Sequence, residues 1–228
     1  MFIEKRRFKN SRGLSLAAIY EGENRDAPVV ILCHGYRSSK DSESTAKLAA
    51  ELLKRGLSNF RFDFTGCGES EGELSELLPS QGLDDLKSAV KALGLAKFSL
   101  YGSSFGGHIS LMYASENPII SLTLKSPVSD YAFVMSEEIG ERRKRFIKDT
   151  KNINMFKKAK NIKCPVLIVH GDTDDVVPIE QSKKLIQNLG GEKRLEILPG
   201  ATHDICGDDL EKTVSLIADF FQEIFTKQ

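Results

Sequence analysis

Val29-Val30-Ile31-Leu32-Cys33 is five consecutive residues of strong β tendency with no polar side chain among them. A strand sends alternate side chains to opposite faces, so this run has no face left for water and must be covered on both sides. The interior of a parallel sheet flanked by helices meets that requirement. Short apolar runs at 59–64, 97–101, 119–124, 165–170 and 195–198 repeat the pattern, and helical periodicities separate most of them. Such alternation predicts βα units and a mostly parallel, twisted sheet.

Two further strands are expected near 2–8 and 14–20, joined by the turn residues Asn10-Ser11-Arg12-Gly13. Asp41 or Ser42 is placed to cap a helix running to Arg55, with Gly56 as its stop. Leu83, Leu86, Val90 and Leu93 form one helical stripe, and Pro178 suits the first position of a helix ending at Gly190-Gly191. A last helix over about 208–225 turns Leu210, Val214, Ile217, Phe220, Phe221 and Ile224 towards the sheet. The expected fold class is therefore α/β, one domain over 1–228 with about eight strands and helices on both faces. Residues of about 128–162, rich in Arg and Lys and without a strand pattern, break the alternation. They predict a lid-like insertion of two or three short helices, its charge a solvated face.

The 228 residues are 40% hydrophobic and 28% charged, with Lys plus Arg equal to Asp plus Glu at 32 each. A globular core needs no metal or disulfide at this length, and a balanced charge offers no attraction for nucleic acid. Cys33, Cys67, Cys164 and Cys206 form no C-x-x-C pair, and the histidines have no metal-ligand spacing, so reduced thiols, no metal and no cofactor are expected. The N-terminus is basic without a long apolar stretch, and no run approaches the ~20 residues that span a bilayer. A cytoplasmic protein is the expectation.

Gly102-Ser103-Ser104-Phe105-Gly106 is a G-x-S-x-G motif between an apolar strand and an amphipathic helix. Such a turn strains the serine backbone and pushes its hydroxyl above the sheet at a helix N-terminus. A hydroxyl is a poor nucleophile and needs a base. His203 lies on the loop before the last helix, at the sheet end where Ser104 emerges. His108 reads as a packed helix residue, and His170 as a residue shaping the next loop by a backbone hydrogen bond. That loop, Gly171-Asp172-Thr173-Asp174-Asp175, supplies three aspartates to orient the histidine, and Asp172 and Asp175 also suit turn or helix capping. The order Ser104, Asp174, His203 matches a strand-end triad. The amides of Phe105 and of Tyr36, in His34-Gly35-Tyr36, suit an oxyanion hole.

With Asp63-Phe64-Thr65-Gly66-Cys67-Gly68-Glu69-Ser70, Pro199-Gly200-x-x-His203 and the motifs above, the chain resembles the α/β-hydrolase superfamily. More narrowly it is similar to serine aminopeptidase-like hydrolases and small cinnamoyl (feruloyl) esterases. The resemblance covers nearly everything outside 128–162. It implies the α/β-hydrolase fold, Asp174 rather than its neighbours as the acid, and a structural role for Asp63. It also implies a serine hydrolase acting on a small-molecule acyl ester through an acyl-enzyme. An aminopeptidase, amidase or thioesterase on the same triad is the alternative. A non-catalytic binding protein on this fold is expected to have a broken triad, and here every member is present.

Overall fold

A computed structural model describes residues 1–135 and 140–227, with the backbone alone at 140 and 141. Its eight strands are β1 (Phe2–Lys9), β2 (Ser15–Gly22), β3 (Val29–Cys33), β4 (Ser58–Phe62), β5 (Ser99–Ser103), β6 (Leu122–Lys125), β7 (Val166–Gly171) and β8 (Lys193–Leu198). They form one sheet in the order β1-β2-β4-β3-β5-β6-β7-β8. The β1–β2 and β2–β4 pairings are antiparallel, and every pairing from β4 through β8 is parallel.

The all-apolar β3 lies inside the sheet, as its lack of a polar face requires. Val30 and Leu32 join a cluster with Leu48 and Leu52 of α1 (Glu43–Lys54) and Val214, Ile217 and Phe221 of α7 (Gly207–Thr226). Val29, Ile31 and Cys33 point the other way. They pack with Leu86 of α2 (Pro79–Leu93), Phe105 and Ile109 of α3 (Phe105–Ala114) and Leu185 of α6 (Ile179–Asn188). Period-two alternation thus feeds two cores, one on each side of the sheet.

Between β6 and β7 the chain forms a short 3₁₀ turn at Tyr131–Phe133, α4 (Gly140–Thr150), α5 (Met155–Lys158) and a second 3₁₀ turn at Ala159–Asn161. The expected insertion at 128–162 is helical where described, and its residues 136–139 lie outside the described residues. Its charge is not wholly a solvated face, because Arg142 turns into a cavity (below). Several element ends differ from expectation. β5 begins two residues later than the apolar run, at Ser99, and extends to Ser103, because its register is set by β3 and β6 rather than by its own composition. Pro178 is the N-cap of α6 instead of its first residue. Ser42 is the N-cap of α1, but its hydroxyl donates to Thr45 Oγ1 (2.9 Å) and accepts no backbone amide of the first turn.

The order of strands decides where a site can form. From β3 the chain goes to β4 on one side and then crosses back to β5 on the other. At such a reversal the loops after the two strands part and leave a crevice at the carboxyl edge. His34-Gly35-Tyr36 leaves β3 there, and Ser104 leaves β5.

Candidate active site

Ser104 sits between β5 and α3 with φ 51° and ψ −111°, a conformation costly for a residue with a Cβ. The flanking glycines make the turn possible. A Cβ on Gly106 would lie 2.3 Å from the Cys33 carbonyl oxygen, and one on Gly102 would lie 2.5 Å from that of Gly106. The helix therefore starts hard against the end of β3. The amide of Ser104 donates to the Lys125 carbonyl (2.9 Å), which ties the turn to the end of β6.

Ser104 Oγ lies 3.0 Å from His203 Nε2, and His203 Nδ1 lies 2.8 Å from Asp174 Oδ2. With Asp174 accepting from Nδ1–H, Nε2 is left to accept the serine proton. Asp174 has almost no exposed surface. Its Oδ1 accepts the amides of Val176 (2.9 Å) and Val177 (2.7 Å). Burial pushes this carboxyl upward, but the hydrogen bonds from His170, His203 and Val177, with the field of His203, hold it well below the ordinary range. Of its neighbours, Asp175 is exposed, and Asp172 accepts the Gly200 amide (2.6 Å), joining the β7 loop to the turn before His203.

The remaining histidines are buried and serve the surrounding loops. His34 Nδ1 donates to the Gly35 carbonyl (2.7 Å), and its Nε2 accepts the Phe64 amide (3.1 Å). Burial lowers its pKa to about 4. His108, lowered by burial to about 4 as well, donates from Nδ1 to the Val128 carbonyl (3.0 Å). His170 Nε2 approaches the Val177 carbonyl (2.9 Å), the backbone contact expected of it, and also Asp174 Oδ2 (3.0 Å).

Tyr36 follows directly, and a Cβ on Gly35 would lie 3.7 Å from Ser104 Cβ, so this loop borders the serine. Neither the Tyr36 nor the Phe105 amide has a backbone acceptor among the described residues. The Tyr36 ring packs on Phe105 and Phe146, which joins the loop to α4. Asp63 braces the other side. It accepts the Lys40 amide (2.6 Å) and Nζ (2.9 Å) and the Glu69 amide (2.9 Å), linking the loops after β3 and β4.

A cavity of about 330 Å³ opens over Ser104 and His203. Its lining also includes Tyr36, Arg37, Thr45, Lys125, Arg142, Val176 and Asp204. Lys125 and Arg142 had no part in the sequence reading of the site. The one available signal was a lysine closing the apolar run at 119–124, at the sheet end where the motif loops gather. Lys125 is only 5% exposed, and its Nζ makes two long contacts, with the carbonyls of His203 (3.4 Å) and Asp204 (3.3 Å). Burial lowers its pKa against the opposing fields of Asp204 and Asp174. Cys33 and Cys67 are buried free thiols pushed up to about 12, chiefly by burial, and are not nucleophiles at neutral pH. Among the described residues no cluster of His, Cys, Asp or Glu is arranged to hold a metal, and no helix is long and apolar enough to cross a membrane.

The chain is similar to known proteins to differing degrees. The chain is 27% identical over 186 residues to the uncharacterized protein Rv2307c of Mycobacterium tuberculosis, covering 78% of this chain and 63% of that one. It is 26% identical over 189 residues to the uncharacterized protein YfhR of Escherichia coli K12, covering 78% and 64%. The chain thus spans just under two thirds of the length of these relatives. Among solved structures, Est1E from Butyrivibrio proteoclasticus, with ferulic acid bound, superposes with a TM-score of 0.85 at 20% identity, covering 97% of this chain and 99% of that one. The esterase Pf2001 of Pyrococcus furiosus gives 0.78 at 20%, covering 99% and 92%. These likenesses are of fold. The serine aminopeptidase S33 family matches residues 144–210, and the alpha/beta hydrolase fold family matches residues 28–153, more than half of the chain. The sheet order, the strained serine turn and this match agree, and the chain belongs to the alpha/beta hydrolase fold family.

Proposed function

We propose that the protein is a serine hydrolase of the carboxylesterase type, acting on small acyl esters. The observation that carries this reading is the unbroken relay from Ser104 through His203 to Asp174, drawn from three loops and joining residues 99 and 29 positions apart in sequence. Ser104 Oγ attacks the ester carbonyl while His203 Nε2 takes its proton. The amides of Tyr36 and Phe105 donate hydrogen bonds to the oxyanion, each such donor being worth roughly 3–4 kcal/mol of barrier. His203 returns the proton to the departing alcohol, and water, activated by the same imidazole, releases the acid. Asp174 holds the imidazole in the productive tautomer and balances its charge.

The size and lining of the cavity support a small, polar substrate. Val176 and the Tyr36 ring are its main apolar surfaces, too little for a fatty chain or an aromatic acid to bury against. An aminopeptidase must pair the free ammonium of its substrate, and the cationic lining here opposes that. The insertion after β6 acts as a lid over the site, and a cytoplasmic setting is part of this reading.

A fluorophosphonate probe tests it. The probe is expected to label the native chain and not the Ser104→Ala variant. Equal labelling of the two removes Ser104 as the nucleophile. Turnover of acetyl and butyryl esters well above that of matched anilides and thioesters separates the esterase from its alternatives.

A further inference from the structure

We infer that the substrate of this site is an anionic ester, its negative group held by Lys125 and Arg142 within the cavity over Ser104. The inference rests on the hydrolase reading above and names the substrate class for it.

The argument starts from Lys125. Its ammonium has three donors. Two reach carbonyl oxygens at 3.3 and 3.4 Å, longer than a good N–H···O bond, and the third has no acceptor among the described residues. The side chain is almost wholly buried, yet no carboxylate is ion-paired with it among the described residues. Asp204 and Asp174 act on it only through space, and a buried ammonium with no anion in contact is costly unless one arrives to share its site. Lys125 ends β6 beside Ser103, and its own carbonyl holds the Ser104 amide, so an anion at Nζ sits near the reacting ester.

Arg142 supplies the second cation from the opposite structural unit, the first turn of α4. Its guanidinium carbon lies 5.8 Å from the Tyr36 ring centroid, at the outer range of a cation–π contact, and in the lining of the same cavity. No carboxylate pairs with it among the described residues. Asp204, the one acidic side chain in the lining among the described residues, is exposed, so water screens its charge more than that of Lys125. A polar cavity with this balance selects for a carboxylate or phosphate on the ester.

Two substrate pairs, equal in shape and different in charge, test this with the full chain. One places the charge on the acyl side (4-nitrophenyl hydrogen glutarate against 4-nitrophenyl glutaramate). The other places it on the alcohol side (4-carboxyphenyl acetate against 4-carbamoylphenyl acetate). In at least one pair kcat/KM is expected to favour the acid about tenfold or more, the scale of one charge-assisted hydrogen bond, and to lose most of that preference in about 0.5 M salt. The responding pair reports which side of the ester faces Lys125. In Lys125→Met and Arg142→Gln the acid-to-amide ratio is expected to fall towards one. The ratio is taken within each variant, so a general loss of activity cancels. If Lys125→Met does not fold, Arg142→Gln carries the comparison alone. Ratios at or below one in both pairs, from a chain that still turns over the neutral esters and takes the fluorophosphonate label, overturn the anionic substrate and leave the hydrolase standing. A ratio unchanged in the variants overturns the assignment to these two residues. A chain that neither turns over any of the four esters nor takes the label overturns both readings.

Discussion

His170 Nε2 lies 3.0 Å from Asp174 Oδ2, the same oxygen that His203 Nδ1 reaches at 2.8 Å, so one buried carboxylate oxygen is shared by two imidazoles. His170 is in turn held through Nδ1 by Ser182 Oγ at 2.7 Å, on α6. The acid of the relay is thereby fixed from behind by a residue that never approaches Ser104.

That arrangement makes His170 a positioning residue with a measurable signature. Asp174→Asn is expected to lower kcat by about 10³–10⁴-fold, since an amide cannot hold His203 in the productive tautomer. His170→Phe is expected to lower kcat by about tenfold with KM little changed, the scale of one hydrogen bond to a charged group. Combined with Asp174→Asn, His170→Phe should cost almost nothing further, because both act through one carboxylate. Additive losses would show that His170 acts by another route.

Stability should fall between pH 6.5 and pH 4. His34 and His108 both have pKa values lowered by burial to about 4, whereas the unfolded chain returns them to about 6.5. Within that window the unfolded state binds a proton that each folded imidazole refuses, so stability is full above it and drains as pH falls. The loss is about 3 kcal/mol for each histidine by pH 4. The lowered Asp174 carboxyl acts in a lower window: its contribution is present above the unfolded carboxylate value and is lost only as pH falls further. Urea denaturation at several pH values measures the slope, and His108→Asn, which keeps a donor for the Val128 carbonyl, should reduce it by roughly half. An unchanged slope would mean that His108 is not held neutral.

Two glycine substitutions separate steric contact from backbone strain. Gly106→Ala places a methyl 2.3 Å from the Cys33 carbonyl oxygen and should cost upwards of about 3 kcal/mol, with loss of the proposed esterase activity, because backbone at the end of β3 has to move. Gly94→Ala, at φ 73° after α2 with no atom within 4 Å, should cost only about 1 kcal/mol and leave activity intact. Equal costs at the two positions would show that the close packing of the serine turn against β3 is not what requires Gly106.

The sequence by itself determined the strand–helix alternation and the burial of β3 on both faces, because both are written in residue periodicities a few positions long. It also marked Gly102, Ser104 and Gly106 as a strained turn, since that motif is local. Which loops would share one edge was decided by the strand order, which the chain settles only when β5 pairs with β3 rather than with β4. The second imidazole on Asp174, the buried Lys125 behind the His203 loop and Arg142 above Tyr36 are contacts between residues remote in sequence. No local pattern encodes them, because they depend on how neighbouring strands register and how the helices after β6 fold back over the sheet. Only the packed tertiary structure brings those side chains within hydrogen-bonding and electrostatic range.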